Sequence, residues 1–245
     1  MRGSDAVVAA STNIRDVVHR YYRYEDPVDI IPLGIPLPDL DGMEAAGPKP
    51  RVGQATRLVT VGRLVRRKAV DVLLRVLARL ECAAVHLTVV GGGPELGALQ
   101  ALARDLGVED RVTFTGRVNE PEKWQILTAA DAYVSSAMHE GFGLVFLEAM
   151  AAGLPIVCFD HGGHVDFLHD GETGFVVRVG DVSGLTAAIA RTTGEPELAQ
   201  RMGAQNRRRA DAYRIETCAS AYAALFRRVT RGRAGAGGFP QHLTR

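Results

Sequence analysis

Short apolar runs and longer amphipathic stretches take turns along the chain. Residues 6–10 form a short β-like run, and Ser11 follows as an N-cap for a helix expected over 12–22. Residues 28–33 are apolar and end in Pro and Gly, and 37–54 are rich in Pro, Gly and Asp and read as a linker. From residue 57 the alternation becomes regular. Strands are expected over 58–61, 85–90, 112–115 and 131–135, then over 155–159 and 175–177. The run 85–90 alternates little, as befits a strand covered on both faces. Between the strands, 68–81 places Val70, Leu73, Leu74, Leu77 and Leu80 on one helical face and Asp71, Arg75 and Arg79 on the other. Further helices are expected over 94–106 and 119–130, the second opened by Asn119 with Glu122 three residues on. Residues 162–168 are short and helical, and longer helices follow over 181–193, 196–210 and 215–229. This order predicts an α/β fold, a doubly wound parallel sheet with right-handed crossovers, whose ligands bind beyond the carboxyl ends of the strands.

Composition narrows the function classes. Apolar residues make up 47% and charged residues 23% of the chain, and the net charge of +1 gives no electrostatic case for nucleic acid. No apolar run approaches the length of a membrane span, and the expected location is cytoplasmic, with peripheral membrane contact open through the Arg-rich 227–233. Cys82, Cys158 and Cys218 lie far apart in apolar or amphipathic segments and read as core thiols in a reducing compartment. Of the 29 basic residues only Lys49, Lys68 and Lys123 are lysines, so each lysine's position invites a reason.

The stretch HEGFGLVFLEAMAAGLP, 139–155, carries the densest chemistry. It reads as a loop leaving a strand and opening a helix, which is stopped by Gly153 with Pro155 behind it. Such a loop presents free backbone N–H groups and the positive end of the helix dipole to an anionic ligand, and Gly141 and Gly143 let the backbone come close. Glu140 and Glu148 have seven residues between them, so contact between their carboxylates is not expected. A retaining hydrolase needs its carboxyls about 5 Å apart, which disfavours a hydrolytic pair. Each carboxylate is expected to take a different part of one elongated ligand, the alternative being two solvated charges. In the loop Gly62–Lys68, Arg63 and Lys68 are placed to converge on a phosphate, against the alternative of a basic loop in water. Gly91-Gly92-Gly93-Pro94 is not the dinucleotide fingerprint, which needs glycine where Leu96 stands. No His/Cys/carboxylate spacing suggests a metal, and none is expected.

GRLVRRK, VVGGGPE, VTFTGRV and EGFGLVFLEAMAAGLPIV…GG…DGETGFVV resemble the C-terminal, nucleotide-sugar-binding half of the family-4 retaining glycosyltransferases, which have the GT-B fold. The similarity runs from about residue 5 to 228, and four motifs in the right order make it specific. It implies a Rossmann-like donor domain over 51–229, preceded by a remnant of the N-terminal GT-B domain and linker in 1–50 and followed by a basic, Gly-rich tail over 230–245. It also implies roles. Arg63 and Lys68 should hold the donor diphosphate, backbone N–H groups around Gly143, Leu144 and Val145 should receive a phosphate, and Gly62, Gly141 and Phe142 should also bind the donor. Glu148 should hydrogen-bond the ribose, the backbone near Val118 should meet the base, and Glu140 should lie by the donor sugar, with Arg63 and Lys68 stabilising the leaving diphosphate without metal or cofactor.

Two residues depart from the family's pattern. Ala69 stands where glycine is usual, a mild change on its face, and Asp166 stands where glutamate is common, so that its contact would be shorter. The resemblance also implies an acceptor (a sugar, lipid or aglycone) held by an N-terminal domain or a partner chain that supplies it. The alternatives are a non-catalytic nucleotide-sugar-binding module and a nucleotide-sugar epimerase, the second disfavoured by the E-x7-E arrangement.

Overall fold

A computed structural model of the chain describes residues 4–37, 55–80 and 85–235. The linker expected over 37–54, Lys49, Cys82 and the end of the tail therefore fall wholly or almost wholly outside the described residues. Six parallel strands form the main sheet: β3 (Thr56–Val61), β4 (Val85–Val90), β5 (Val112–Gly116), β6 (Ala132–Ser135), β7 (Ile156–Phe159) and β8 (Gly174–Val177), in the order β5-β4-β3-β6-β7-β8. A strand and helix pair, β1 (Val7–Ala9) and α1 (Thr12–Tyr22), leads into β2 (Val28–Ile30), which pairs parallel with β1 in a separate two-stranded sheet. The doubly wound α/β fold read from the sequence is the fold observed.

The sheet divides the interior into two cores because successive strand residues point to opposite faces. Leu58, Leu87, Val89, Val134 and Val157 meet α2 (Val70–Arg79), α3 (Leu96–Asp105) and α6 (Val182–Gly194) on one side. Val59, Val90, Tyr133, Ile156 and Cys158 meet α4 (Glu120–Ala129) and α5 (Leu144–Ala151) on the other. Asn119 caps α4 as expected, its side chain accepting the Glu122 N–H at 2.9 Å. Ser11 caps α1 in the same way at 3.2 Å, which fixes where that helix begins. Cys158 is buried as a core thiol, whereas Cys218 is only half-buried.

Polar side chains then lock the elements at their ends. Asp131 accepts the Arg57 backbone N–H at 2.8 Å and its guanidinium at 3.1–3.2 Å, tying the starts of β3 and β6 together. On α7 (Pro196–Ala210), the buried Asn206 donates to the carbonyls of Leu154 at 2.7 Å and Thr173 at 2.6 Å, satisfying two backbone oxygens that would otherwise be stranded. The last helix, α8 (Ile215–Gly235), runs past the expected end at 229. Its start is stitched to the segment after β2, with Ile35 N–H donating to Tyr213 O at 2.9 Å and Ile215 N–H to Ile35 O at 3.0 Å. Arg228 also pairs with Asp29.

Candidate functional site

In the strand order the chain winds outward in opposite directions from β3 and β6. Loops leaving two such strands diverge and open a crevice between them. The Gly62–Lys68 loop follows β3 and the Ser136–Gly143 loop follows β6, so both expected halves of the site flank that crevice. Gly62, Arg63 and Lys68 line a small cleft with Thr60, Val90 and Ser135.

The first loop is braced from behind. Gly62 N–H donates to Val90 O at 2.9 Å and Leu64 N–H to Gly92 O at 3.0 Å. A Cβ at Gly91, whose φ is +132°, would lie 2.0 Å from the Gly62 carbonyl oxygen. The glycine run after β4 is there to let the two loops touch, which accounts for a glycine turn that lacks the dinucleotide fingerprint. At its far end the loop passes through Ala69, which is buried and adopts a left-handed backbone with φ 48°. The change from glycine is therefore not mild. A left-handed residue bearing a Cβ costs roughly 1–2 kcal/mol, so Ala69→Gly should be neutral or stabilising by up to about 1 kcal/mol. At an ordinary helix position the same change would destabilise by about as much. A melting temperature that falls by several degrees on Ala69→Gly would contradict this.

The second loop carries Glu140, and its brace comes from the segment after β7. Glu140 N–H donates to His161 O at 3.1 Å, and Gly163 N–H returns to Glu140 O at 3.0 Å. Beneath lies His164, fully buried, whose Nε2–H donates to Phe159 O at 2.7 Å and whose ring sits 4.8 Å from that of Phe146. Burial lowers its pKa and outweighs the opposing pull of that hydrogen bond and of Glu140 and Asp160, so the imidazole is a neutral wedge. Asp166, at the end of this segment, accepts the N–H of Thr12 at 2.7 Å and its hydroxyl at 2.5 Å. The shorter acid thus grips the N-terminus of α1, a favourable place for a negative charge.

Beyond Glu140 the chain turns through Gly143, with φ 93°, into α5, whose N-terminus has no side-chain cap. The N–H groups of its first turn, at Leu144 and Val145, therefore point out of the helix without a side-chain acceptor. Phe142 faces away, buried with its ring 5.5 Å from that of Phe167, so only its backbone is open to a ligand. Val118, between β5 and α4, packs partly buried against the same core.

The glutamates are not solvated charges. Glu140 pairs with Lys68, the two side chains 12% and 13% exposed. Glu148 pairs with Lys123 at 2.9 Å, the side chains 15% and 12% exposed, and Lys123 also reaches Glu120 at 2.9 Å. The carboxylates thus lie on different lysines, in keeping with the separation expected of them. The second oxygen of Glu148 is buried without a hydrogen-bond partner. Arg63, in contrast, is exposed and has no carboxylate partner among the described residues. Lys123 is the site residue that motif reading passed over. The scarcity of lysine was its signal, since both described lysines sit on the two glutamates of the stretch. Among the described residues no three His, Cys, Asp or Glu side chains converge as metal ligands, and no helix is long and apolar enough to cross a membrane.

The family described as Glycosyl transferases group 1 matches residues 46–209. The chain belongs to that family. Its relatives include the GDP-mannose-dependent α-(1-6)-phosphatidylinositol monomannoside mannosyltransferase of Mycolicibacterium smegmatis, 35% identical over 179 residues that cover 69% of this chain and 47% of the relative. The glycogen synthase of Mycobacterium tuberculosis is 32% identical over 236 residues, covering 95% of this chain and 56% of the relative. Among solved structures, the sucrose-phosphate synthase of Thermosynechococcus elongatus superposes with a TM-score of 0.81 at 27% identity, over 94% of this chain and 59% of that one. The fold is that of one domain of a GT-B glycosyltransferase, and the chain spans about half the length of the curated relatives it matches.

Proposed function

We propose that the chain is the donor-binding half of a retaining glycosyltransferase, and that it binds a nucleoside-diphosphate sugar in the crevice between β3 and β6. The observation that carries this reading is the arrangement around the uncapped N-terminus of α5. Free backbone N–H groups lie there, with Arg63 and the Glu140-paired Lys68 on the facing loop and a carboxylate at either end of the stretch. A diphosphate fits the cationic middle, Glu148 offers oxygens to a ribose, and Glu140 stands where the sugar hydroxyls would lie. The base then falls toward the backbone near Val118. When the bond from anomeric carbon to phosphate oxygen breaks, negative charge grows on the leaving diphosphate. The α5 N–H groups are fixed donors for that charge, and Arg63 and Lys68 on the facing loop add positive charge beside them. Without ligand Lys68 is held by Glu140; binding would turn the ammonium toward phosphate and leave Glu140 to the sugar. Relatives that use GDP-mannose make a hexose on a purine nucleotide one donor to try.

The test is a thermal-shift panel with UDP, GDP, ADP and dTDP and their sugars, because a ligand that binds only the folded state raises its stability. A chain that none of them stabilises would refute the reading. Binding should survive EDTA, since the charge on the diphosphate is met by Arg63, Lys68 and a helix N-terminus. A requirement for added Mg²⁺ or Mn²⁺ in the same assay would contradict that assignment. A second reading, donor binding in which transfer depends on residues outside this chain, is favoured by its spanning only about half of each relative.

A further inference from the structure

We propose that Lys123 is a positioning residue for the nucleotide, holding Glu148 ionised and fixed so that the carboxylate can accept the hydroxyls of a ribose. This deepens the donor-binding reading and rests on it.

Glu148 lies on α5 with its side chain 15% exposed, a burial that favours the protonated carboxyl. One oxygen is anchored by the Lys123 ammonium at 2.9 Å. The other is buried with no hydrogen-bond donor, an arrangement that a donating ligand would relieve. A carboxylate with one oxygen tied and one wanting a donor is prepared for a ligand hydroxyl. Lys123 itself is divided between Glu148 and the exposed Glu120, both within 2.9 Å. The groups that bear on Glu148 are thus Lys123 and Glu120 from α4, with the Tyr133 hydroxyl from β6, which stays protonated because burial pushes its pKa far up.

The balance of these influences gives the sign. Burial pushes the Glu148 carboxyl above its usual range, the hydrogen bond and charge of Lys123 pull it down, and Glu120 adds to the rise. At Lys123 burial pulls the ammonium down, but its hydrogen bonds to Glu148 and Glu120 and their charges together leave it raised. Lys123 is therefore cationic throughout the range in which Glu148 titrates. Removing it leaves only the influences that raise Glu148. A ribose site that needs the carboxylate is lost as pH falls, and without Lys123 it is lost at a higher pH. Lysine suits the position, as a compact point charge on a flexible stem that two carboxylates can share.

The experiment is calorimetric titration of the full 245-residue chain from about pH 5 to about pH 9. The probes are GDP-mannose, UDP-glucose, ADP-glucose and dTDP-glucose, whose diphosphates are diesters with no proton to exchange in that range. Wild type, Lys123→Met, Lys123→Arg and Glu148→Gln are compared with the best-bound probe, and melting curves are recorded at each pH. The expected result is that Lys123→Met loses affinity at every pH, because Glu148 is no longer held, and loses more as pH falls, with an acid-side midpoint above that of wild type. Lys123→Arg keeps the wild-type profile, and Glu148→Gln binds weakly with little dependence on pH. A purely structural role for Lys123 would lower affinity by one factor at every pH. That outcome, or a Lys123→Met profile lying on the wild-type one while Glu148→Gln is weak and flat, overturns the proposal alone. A wild type that binds no probe, or a Glu148→Gln that behaves as wild type, overturns the donor-binding reading beneath it.

Discussion

Gly162→Ala should unfold the site. A Cβ at this position would sit 1.9 Å from the Glu140 carbonyl oxygen and 2.9 Å from its nitrogen, at φ +144°. Those are backbone atoms of the loop that bears Glu140, so no side-chain rotation relieves the contact. Either the two loops part or the backbone of residue 162 leaves its conformation, and both break the hydrogen bonds that join Glu140 to His161 and Gly163. The expected loss is more than about 4 kcal/mol of stability, in the range reserved for overpacking combined with backbone strain, together with the loss of nucleotide binding. Gly141→Ala is the matched control, because a Cβ there meets nothing within 4 Å. It should change stability by no more than about 0.5 kcal/mol. Chemical denaturation of both variants checks the pair; equal stabilities would show that the close approach at Gly162 is unimportant.

The second large effect concerns transfer. The chain by itself should bind donor and transfer sugar to no acceptor at an ordinary enzymatic rate. Holding an acceptor against the anomeric carbon is worth roughly 7–11 kcal/mol of the barrier, and the crevice residues described here account for the donor alone. The diphosphate clamp could still support slow hydrolysis, with water as a poorly placed acceptor. Transfer should appear when an N-terminal GT-B domain is supplied in cis or as a partner chain. A nucleotide-release assay with sugar, lipid and aglycone acceptors decides it. Acceptor-dependent release at about 1 per second or faster from the isolated chain would sink the expectation.

What the sequence disclosed and what it hid follow from the range of the forces involved. The helices were legible because their signals are local: Ser11 and Asn119 cap within three residues, and the apolar face of α2 repeats along its own length. The alternation of strands and helices gave the parallel sheet, and with it the strand ends where the Glu140 and Gly62 loops meet. Contacts between elements were not legible. Lys123 reaches Glu148 across 25 residues, from one helix to the next, and no periodicity places one beside the other. Asp166 reaches Thr12 across 154. Ala69 looked harmless because a left-handed φ leaves no mark on composition when the residue is not glycine. In the sequence Gly91 shows only that the dinucleotide fingerprint is missing and Gly162 carries no role, yet each lets one loop lie against another.

The donor-binding claim itself is tested most directly by titration calorimetry of the chain, in EDTA, with its best nucleoside diphosphate. Wild type is compared with Arg63→Ala, Lys68→Ala and Glu148→Ala. Each substitution should weaken binding by about 1–3 kcal/mol, the usual loss for a charged hydrogen bond, while the melting temperature of Arg63→Ala stays near wild type because that side chain is exposed and unpaired. Wild-type affinity in all three variants would mean that the nucleotide lies elsewhere and would contradict the account.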